Sequence, residues 1–151
     1  MPVSAEETQR RVSKMTASLR DHGLRLTRQR SEIVREVAGT DEHPDVERIF
    51  LAVREHVPSV SIDTVYRTLA TLAEIGLVAR VSATAGPVRY DANVAGHHHF
   101  VCTRCGLVRD IEDDDLDDVR APQAATSLGI VESTEVQFKG VCRECQGSTR
   151  L

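Results

Sequence analysis

The stretch "SIDTVYRTLATLAEIGLVARVS", Ser61 to Ser82, passes from a helical pattern into a strand pattern. Ile62, Val65, Leu69 and Leu72 recur at helical spacing and share one face; Asp63, Thr64, Arg67 and Thr71 lie on the other. Ser61 can cap the helix, Asp63 suits its positive end and Gly76 closes it. After Gly76, "LVARVS" (77–82) and "GPVRYD" (86–91) read as two short strands around a Gly-Pro turn.

Three more helices precede this one. The first runs from about Glu6 to Asp21 and stops near Gly23. The second lies in "RLTRQRSEIVREVAG" (25–39), with Thr27 as N-cap, Ile33, Val34 and Val37 as its apolar stripe and Gly39 at its end. The third opens at "HPDVERIFLAVREH" (43–56), where Pro44 suits the first helical position and Val46, Ile49, Phe50 and Val53 form the stripe. Four helices followed by a small hairpin make a winged helix-turn-helix pattern.

Beyond Asp91 the signals change. "HHFVC", "LVRDI" and "TEVQFKGV" read as strands, and a helix is expected over "DDLDDVRAPQAATSLG" (114–129), with Pro122 awkward inside it. The fold class is therefore α+β. Residues 1–84 form a winged-helix domain, residues 85–92 a hinge, and residues 93–151 a small α/β domain. Two lobes within 151 residues are each small for independent stability, and dimerisation would help both.

Charge follows the same division. Residues 1–90 carry 13 Lys/Arg and 12 Asp/Glu, a net of +1, whereas residues 91–151 carry 6 and 11, a net of −5. Arg10 to Arg35 alone holds eight basic residues against Asp21 and Glu32. The two halves are expected to meet different partners, although a solvated amphipathic surface reads equally well on charge alone. No run approaches the roughly 20 apolar residues of a membrane span, and "MPVSAEETQRR" offers no apolar signal region. A cytoplasmic chain is expected, in which paired cysteines point to metal or redox chemistry rather than to structural disulfides.

All four cysteines occur as pairs, Cys102/Cys105 and Cys142/Cys145, each with two intervening residues. Two such loops complete a tetrahedral thiolate site, so structural Zn2+ is expected. A thioredoxin-like redox pair would stand once, at a helix start after a strand. Within "GHHHFVCTRCG" (96–106), strand alternation puts His97 and His99 on one face and His98 on the other. The cysteines already fill the zinc shell, so His97 and His99 need a separate metal, with Asp91 and Asp110 as nearby partners. Imidazole plus carboxylate suits Fe2+, Mn2+ or Zn2+. His43 taken alone reads better as a polar residue at a helix start.

In order and spacing, "GLRLTRQR", "HPDVERIF", "SIDTVYRTLATLAEIGLV", "RYD", "HHHFVCTRCG" and "GVCREC" resemble the ferric uptake regulator (Fur) family of metal-dependent bacterial transcription regulators. The likeness spans about residues 20–146. It implies an N-terminal winged-helix domain that binds double-stranded operator DNA and a C-terminal dimerisation domain. It also implies structural zinc on the four cysteines and a regulatory metal, Fe2+ or Mn2+, on His43, Asp91, His97, His99 and Asp110. The helix at 61–75 would enter the major groove, with Arg67 reading a guanine edge and Tyr66 and Thr68 touching phosphate or thymine. Arg20, Arg25, Arg28 and Arg30 would neutralise the DNA backbone.

Aspartate at both 91 and 110 resembles the peroxide-sensing branch, in which Fe2+ promotes oxidation of a ligand histidine, here His43 or His97. Arg67 resembles the iron-uptake branch instead, which leaves an iron-availability or other metal-uptake repressor as the alternative. Many relatives supply a further ligand histidine around "VESTEVQF" (131–138), where Thr134 stands. "IEDDDLDD" (111–118), with Glu112 and Asp117, then reads as an acidic helix start rather than a third metal site. Two remote readings are a catalytic zinc on the three histidines and a thiol redox protein. No general base beyond the ligands stands out, so no enzyme, small-molecule substrate or membrane partner is expected.

Overall fold

A computed structural model of the chain describes residues 3–81 and 86–148. It divides into two units, residues 3–81 with 87–94 and residues 95–148 with Gly86. The expected domain boundary at 84/85 lies outside the described residues.

The first unit opens with α1 (Ala5–Asp21), whose N-cap Ser4 accepts the Glu7 N–H, and Gly23 follows in the left-handed region at φ 76°. Next, α2 (Arg28–Ala38) is capped by Thr27, which accepts the Arg30 N–H. For α3 (Val46–His56) the expected start is corrected by two residues. Asp45 is the N-cap, accepting the Arg48 N–H at 2.8 Å. Pro44 therefore precedes the helix, and its carbonyl accepts the Tyr90 N–H at 2.9 Å. The carboxylate satisfies an orphan helix donor, which a proline at that position could not do.

Ser61 caps α4 (Ile62–Glu74). The hairpin follows as β1 (Ala79–Val81) antiparallel to β2 (Arg89–Asp91), pairing Ala79 with Asp91 and Val81 with Arg89. Leu19 of α1, Ile33, Val34 and Val37 of α2, Ile49 and Val53 of α3, and Val65, Leu69 and Leu72 of α4 meet in one core. Each such side chain contributes about 1.5–3 kcal/mol on burial. The core stripe of α4 begins at Val65 rather than Ile62, which is 44% exposed.

The loop between α2 and α3 is pinned from several sides. Arg11 of α1 donates to Glu7 at 2.9 Å and to Asp41 at 3.0 Å, with its side chain largely buried. Arg48 donates to Glu42 at 2.8 Å. Between these anchors His43 takes φ 54°, the only non-glycine residue in the left-handed region among the described residues.

The second unit is built on β3 (His98–Cys102), which pairs antiparallel with β4 (Val108–Ile111) and parallel with β5 (Gln137–Gly140). Val101 and Val108 oppose each other across β3 and β4, and both are buried. A Cβ on Gly140 would come within 3.2 Å of the Phe100 ring, so a side chain there would press on that ring. The single helix expected over 114–129 is instead two short turns, α5 (Asp114–Asp117) and α6 (Gln123–Thr126). Pro122 sits at the N-cap of α6, where it cannot continue a helix from upstream. A last helix, α7 (Arg143–Gly147), starts from Cys142. No helix among the described residues is long and apolar enough to cross a membrane.

Candidate metal centres and nucleic-acid interface

Cys102 ends β3, and the turn that carries Cys105 closes at Gly106, whose φ is 75° and whose N–H donates to the Cys102 carbonyl at 3.0 Å. Cys142 and Cys145 come from the N-cap and first turn of α7. All four sulfurs lie within 4.8 Å of one another. The Cys105 and Cys142 sulfurs are 3.7 Å apart, too far for a disulfide. Four thiolates at about 2.3 Å around a tetrahedral ion stand roughly 3.8 Å from each other, so the spacing fits zinc. The N–H groups of Cys142 and Arg104 point at the Cys102 sulfur from 3.3 and 3.4 Å. Backbone donors, those of Cys105 and Cys142 first, hold the Cys102 thiol down at about 6. The neighbouring sulfur of Cys142, followed by that of Cys105, pushes Cys145 up to about 12. One thiolate stabilised among crowded thiols is an arrangement that a divalent cation relieves.

The histidines and aspartates form one set in each unit. In the first unit, His43 Nε2 lies 3.1 Å from Asp91 Oδ2, with both side chains essentially fully buried. Asp91 closes β2, and its other oxygen accepts the Asn93 N–H at 2.8 Å. In the second unit, His97 Nε2 is 3.0 Å and His99 Nε2 3.3 Å from the same Asp110 oxygen. The β3–β4 register places His99 directly opposite Asp110. The two rings meet edge to face at 4.5 Å, so His97 and His99 do share a face. Two imidazoles and a carboxylate aimed at one point, and an imidazole with a carboxylate in the other unit, are donor sets that suit Fe2+, Mn2+ or Zn2+.

His98 faces the other way. Its Nε2 bonds Asp117 at 3.0 Å and its Nδ1 accepts the Val136 N–H at 3.0 Å. Asp117 is thus a histidine partner rather than a free acidic surface. Glu135, which the sequence did not single out, bonds His99 Nδ1 at 2.8 Å. The partners lie 36 positions apart in the chain, and no local spacing marks them.

On α4, Arg67 and Tyr66 are exposed, and Asp63 pairs with Arg67 at 2.9 Å. Thr68 does not join them: it is 4% exposed, and its hydroxyl donates to the Thr64 carbonyl at 2.8 Å. Arg30 and Arg67 line one concavity of about 500 Å3 between Leu24 and α4. Arg28 donates to the His56 carbonyl at 3.2 Å, while Arg20 and Arg25 are exposed.

Residues 21–138 match the model of the ferric uptake regulator family. The chain belongs to the ferric uptake regulator family. Over 147 residues it is 31% identical to a peroxide-responsive repressor, PerR, of Staphylococcus aureus, covering 97% of this chain and 99% of that protein. Its fold matches the ferric uptake regulator of Helicobacter pylori with a TM-score of 0.79 at 22% identity, over 95% and 96% of the two chains. It also matches a zinc uptake regulator complexed with zinc and DNA, with a TM-score of 0.62 at 25% identity, over 93% and 95%. The chain is a metal-dependent transcription regulator of this family, not an enzyme.

Proposed function

We propose that this family member is a homodimeric, cytoplasmic repressor that binds double-stranded operator DNA and responds to peroxide. Cys102, Cys105, Cys142 and Cys145 hold structural Zn2+. His43 and Asp91 from the first unit, with His97, His99 and Asp110 from the second, take one regulatory Fe2+ or Mn2+. The observation that carries this reading is the pair of buried imidazole–carboxylate sets, one on each unit. Sharing one ion would tie the orientation of the winged helix to metal occupancy, and so favour the DNA-binding form. In a dimer this sets the separation of two recognition helices, which must match grooves roughly 34–36 Å apart.

In the DNA-bound form Arg67 reads a base edge from the exposed face of α4, Tyr66 contacts phosphate or thymine, and Arg20, Arg25, Arg28 and Arg30 neutralise phosphates. Thr68 supports α4 from within. Leu128 and Ile130 are 89% and 95% exposed, an apolar surface that a second copy would cover. Fe2+ held there would promote transfer of one oxygen atom from peroxide to a ligand imidazole, His43 or His97, the O–O bond breaking and the other oxygen leaving as water. Asp91 and Asp110 support that reading because carboxylates as short as theirs would leave an Fe2+ ion open to peroxide. Arg67 favours the second reading, an iron-availability sensor on the same scaffold.

The test is mass spectrometry of the ligand peptides after anaerobic Fe2+ loading and a low peroxide dose. An added oxygen atom on His43 or His97, absent from a Mn2+-loaded control, is expected. Unmodified histidines with retained DNA binding would reject peroxide sensing in favour of metal-availability sensing.

A further inference from the structure

His99 has two ring nitrogens with separate partners. Nε2 faces the Asp110 oxygen at 3.3 Å, on the side shared with His97. Nδ1 lies 2.8 Å from Glu135 Oε1. The imidazole is 5% exposed, whereas the Glu135 side chain is 55% exposed. An imidazole that ligates through Nε2 must carry its proton on Nδ1, and a buried N–H needs an acceptor.

Glu135 is held where it can serve. Its neighbour Val136 accepts the His99 backbone N–H at 3.1 Å and donates its own N–H to His98 Nδ1 at 3.0 Å. The parallel register then continues with His99 opposite Gln137 and Phe100 opposite Phe138. Glu135 therefore stands two residues before the sheet pairing begins, next to the anchored Val136, with its carboxylate directed at the ring of a residue on the central strand.

We propose that Glu135 is a positioning residue for the regulatory metal: it accepts the His99 Nδ1–H, fixes that tautomer and aims the Nε2 lone pair at the ion. The inference rests on the reading of His99 as a ligand. A carboxylate behind a ligating histidine also makes the ring a stronger donor, and loss of such a partner costs about 10–100-fold in metal affinity. Glu135 reaches the site from the segment before β5, so the affinity of the centre depends on a residue that does not touch the ion.

The experiment uses the full-length, zinc-loaded protein. Mn2+ affinity is measured by chelator competition for wild type, Glu135→Ala, Glu135→Gln and His99→Ala. In parallel, 15N NMR of the imidazoles, with the regulatory site free of Mn2+, reports which nitrogen of His99 carries the proton. Glu135→Ala is expected to weaken Mn2+ binding 10–100-fold and to shift His99 away from the Nδ1–H form, with zinc content and melting temperature unchanged. Glu135→Gln keeps an acceptor oxygen, so it should restore the Nδ1–H tautomer and part of the affinity. Wild-type affinity or an unshifted tautomer in Glu135→Ala overturns the proposal, provided His99→Ala loses Mn2+ binding. If His99→Ala itself binds Mn2+ normally, the reading of His99 as a ligand fails instead. If Glu135→Ala loses zinc or stability, the isosteric Glu135→Gln decides: affinity restored with the tautomer supports positioning, and equal loss in both variants refutes it.

Discussion

Replacing Cys142 by serine should unfold the second unit and leave the first intact. Among the described residues, the fully buried aliphatic side chains of that unit are Val101 and Val108. At about 1.5–3 kcal/mol each they contribute roughly 3–6 kcal/mol. Zinc in small four-ligand sites contributes about 10–16 kcal/mol. An ion on the four cysteines would therefore be the largest single stabilising term available there, joining the end of β3 to the start of α7. A serine hydroxyl is a much poorer zinc ligand than a thiolate at neutral pH. The large aliphatic core made by α1 to α4 lies wholly in the first unit and does not depend on the cysteines. Two-dimensional amide NMR with hydrogen exchange, beside zinc analysis, reads both halves at once. The expected result is loss of zinc and of protection in β3, β4 and β5, with the signals of α2 to α4 retained. Zinc-free protein with β3 to β5 still protected would refute the assignment of zinc as the staple of this unit.

Three other outcomes follow from the same geometry. Arg67→Ala should weaken operator binding by about 1–3 kcal/mol and relax discrimination at one base pair, whereas Arg25→Ala should weaken all sequences evenly and flatten the salt dependence; binding isotherms over a mismatch series separate the two. Leu69→Ala removes a fully buried side chain of α4 and should cost about 2–5 kcal/mol in urea unfolding of the first unit, where a loss below about 1 kcal/mol would contradict the packing. Glu7 is held down at about 2, chiefly by Arg10 and then by Arg11. Its folded value lies below the unfolded one, so its stabilisation is complete above about pH 4.5 and is lost as the pH falls toward 2. Glu7→Gln should remove that part of the acid dependence, and an unchanged acid unfolding curve would show that the contact carries nothing.

The helical half was legible because its signals are local. Thr27 and Ser61, the two caps read from the sequence, each act within three residues of the donors they satisfy, and the apolar stripes need only a single helical period. Pro44 misled because two adjacent residues can each begin a helix, and the choice depended on Tyr90, far along the chain. Thr68 looked like a polar surface residue, yet back-bonding to Thr64 let it face the core. Spacing alone was enough to read that the paired cysteines converge and that His97 and His99 share a face opposite His98. Glu135 did not, because the parallel pairing of β3 with β5 is a non-local contact with no periodic signature. Pro122 did warn that the expected long helix would break, and it does.

If His43 takes the proposed metal, the strut from Arg11 to Asp41 gives α1 a part in the energetics of its binding. Asp41 lies two residues before His43, whose left-handed backbone is held by this loop. Linkage is reciprocal: whatever free energy the docked helix contributes to holding His43 in place, a ligand on His43 returns to the docking of the helix. With the proposed metal on His43, the docking equilibrium of α1 would register its occupancy, and drift in the N-terminal helix would retune the affinity of the centre without altering a single ligand.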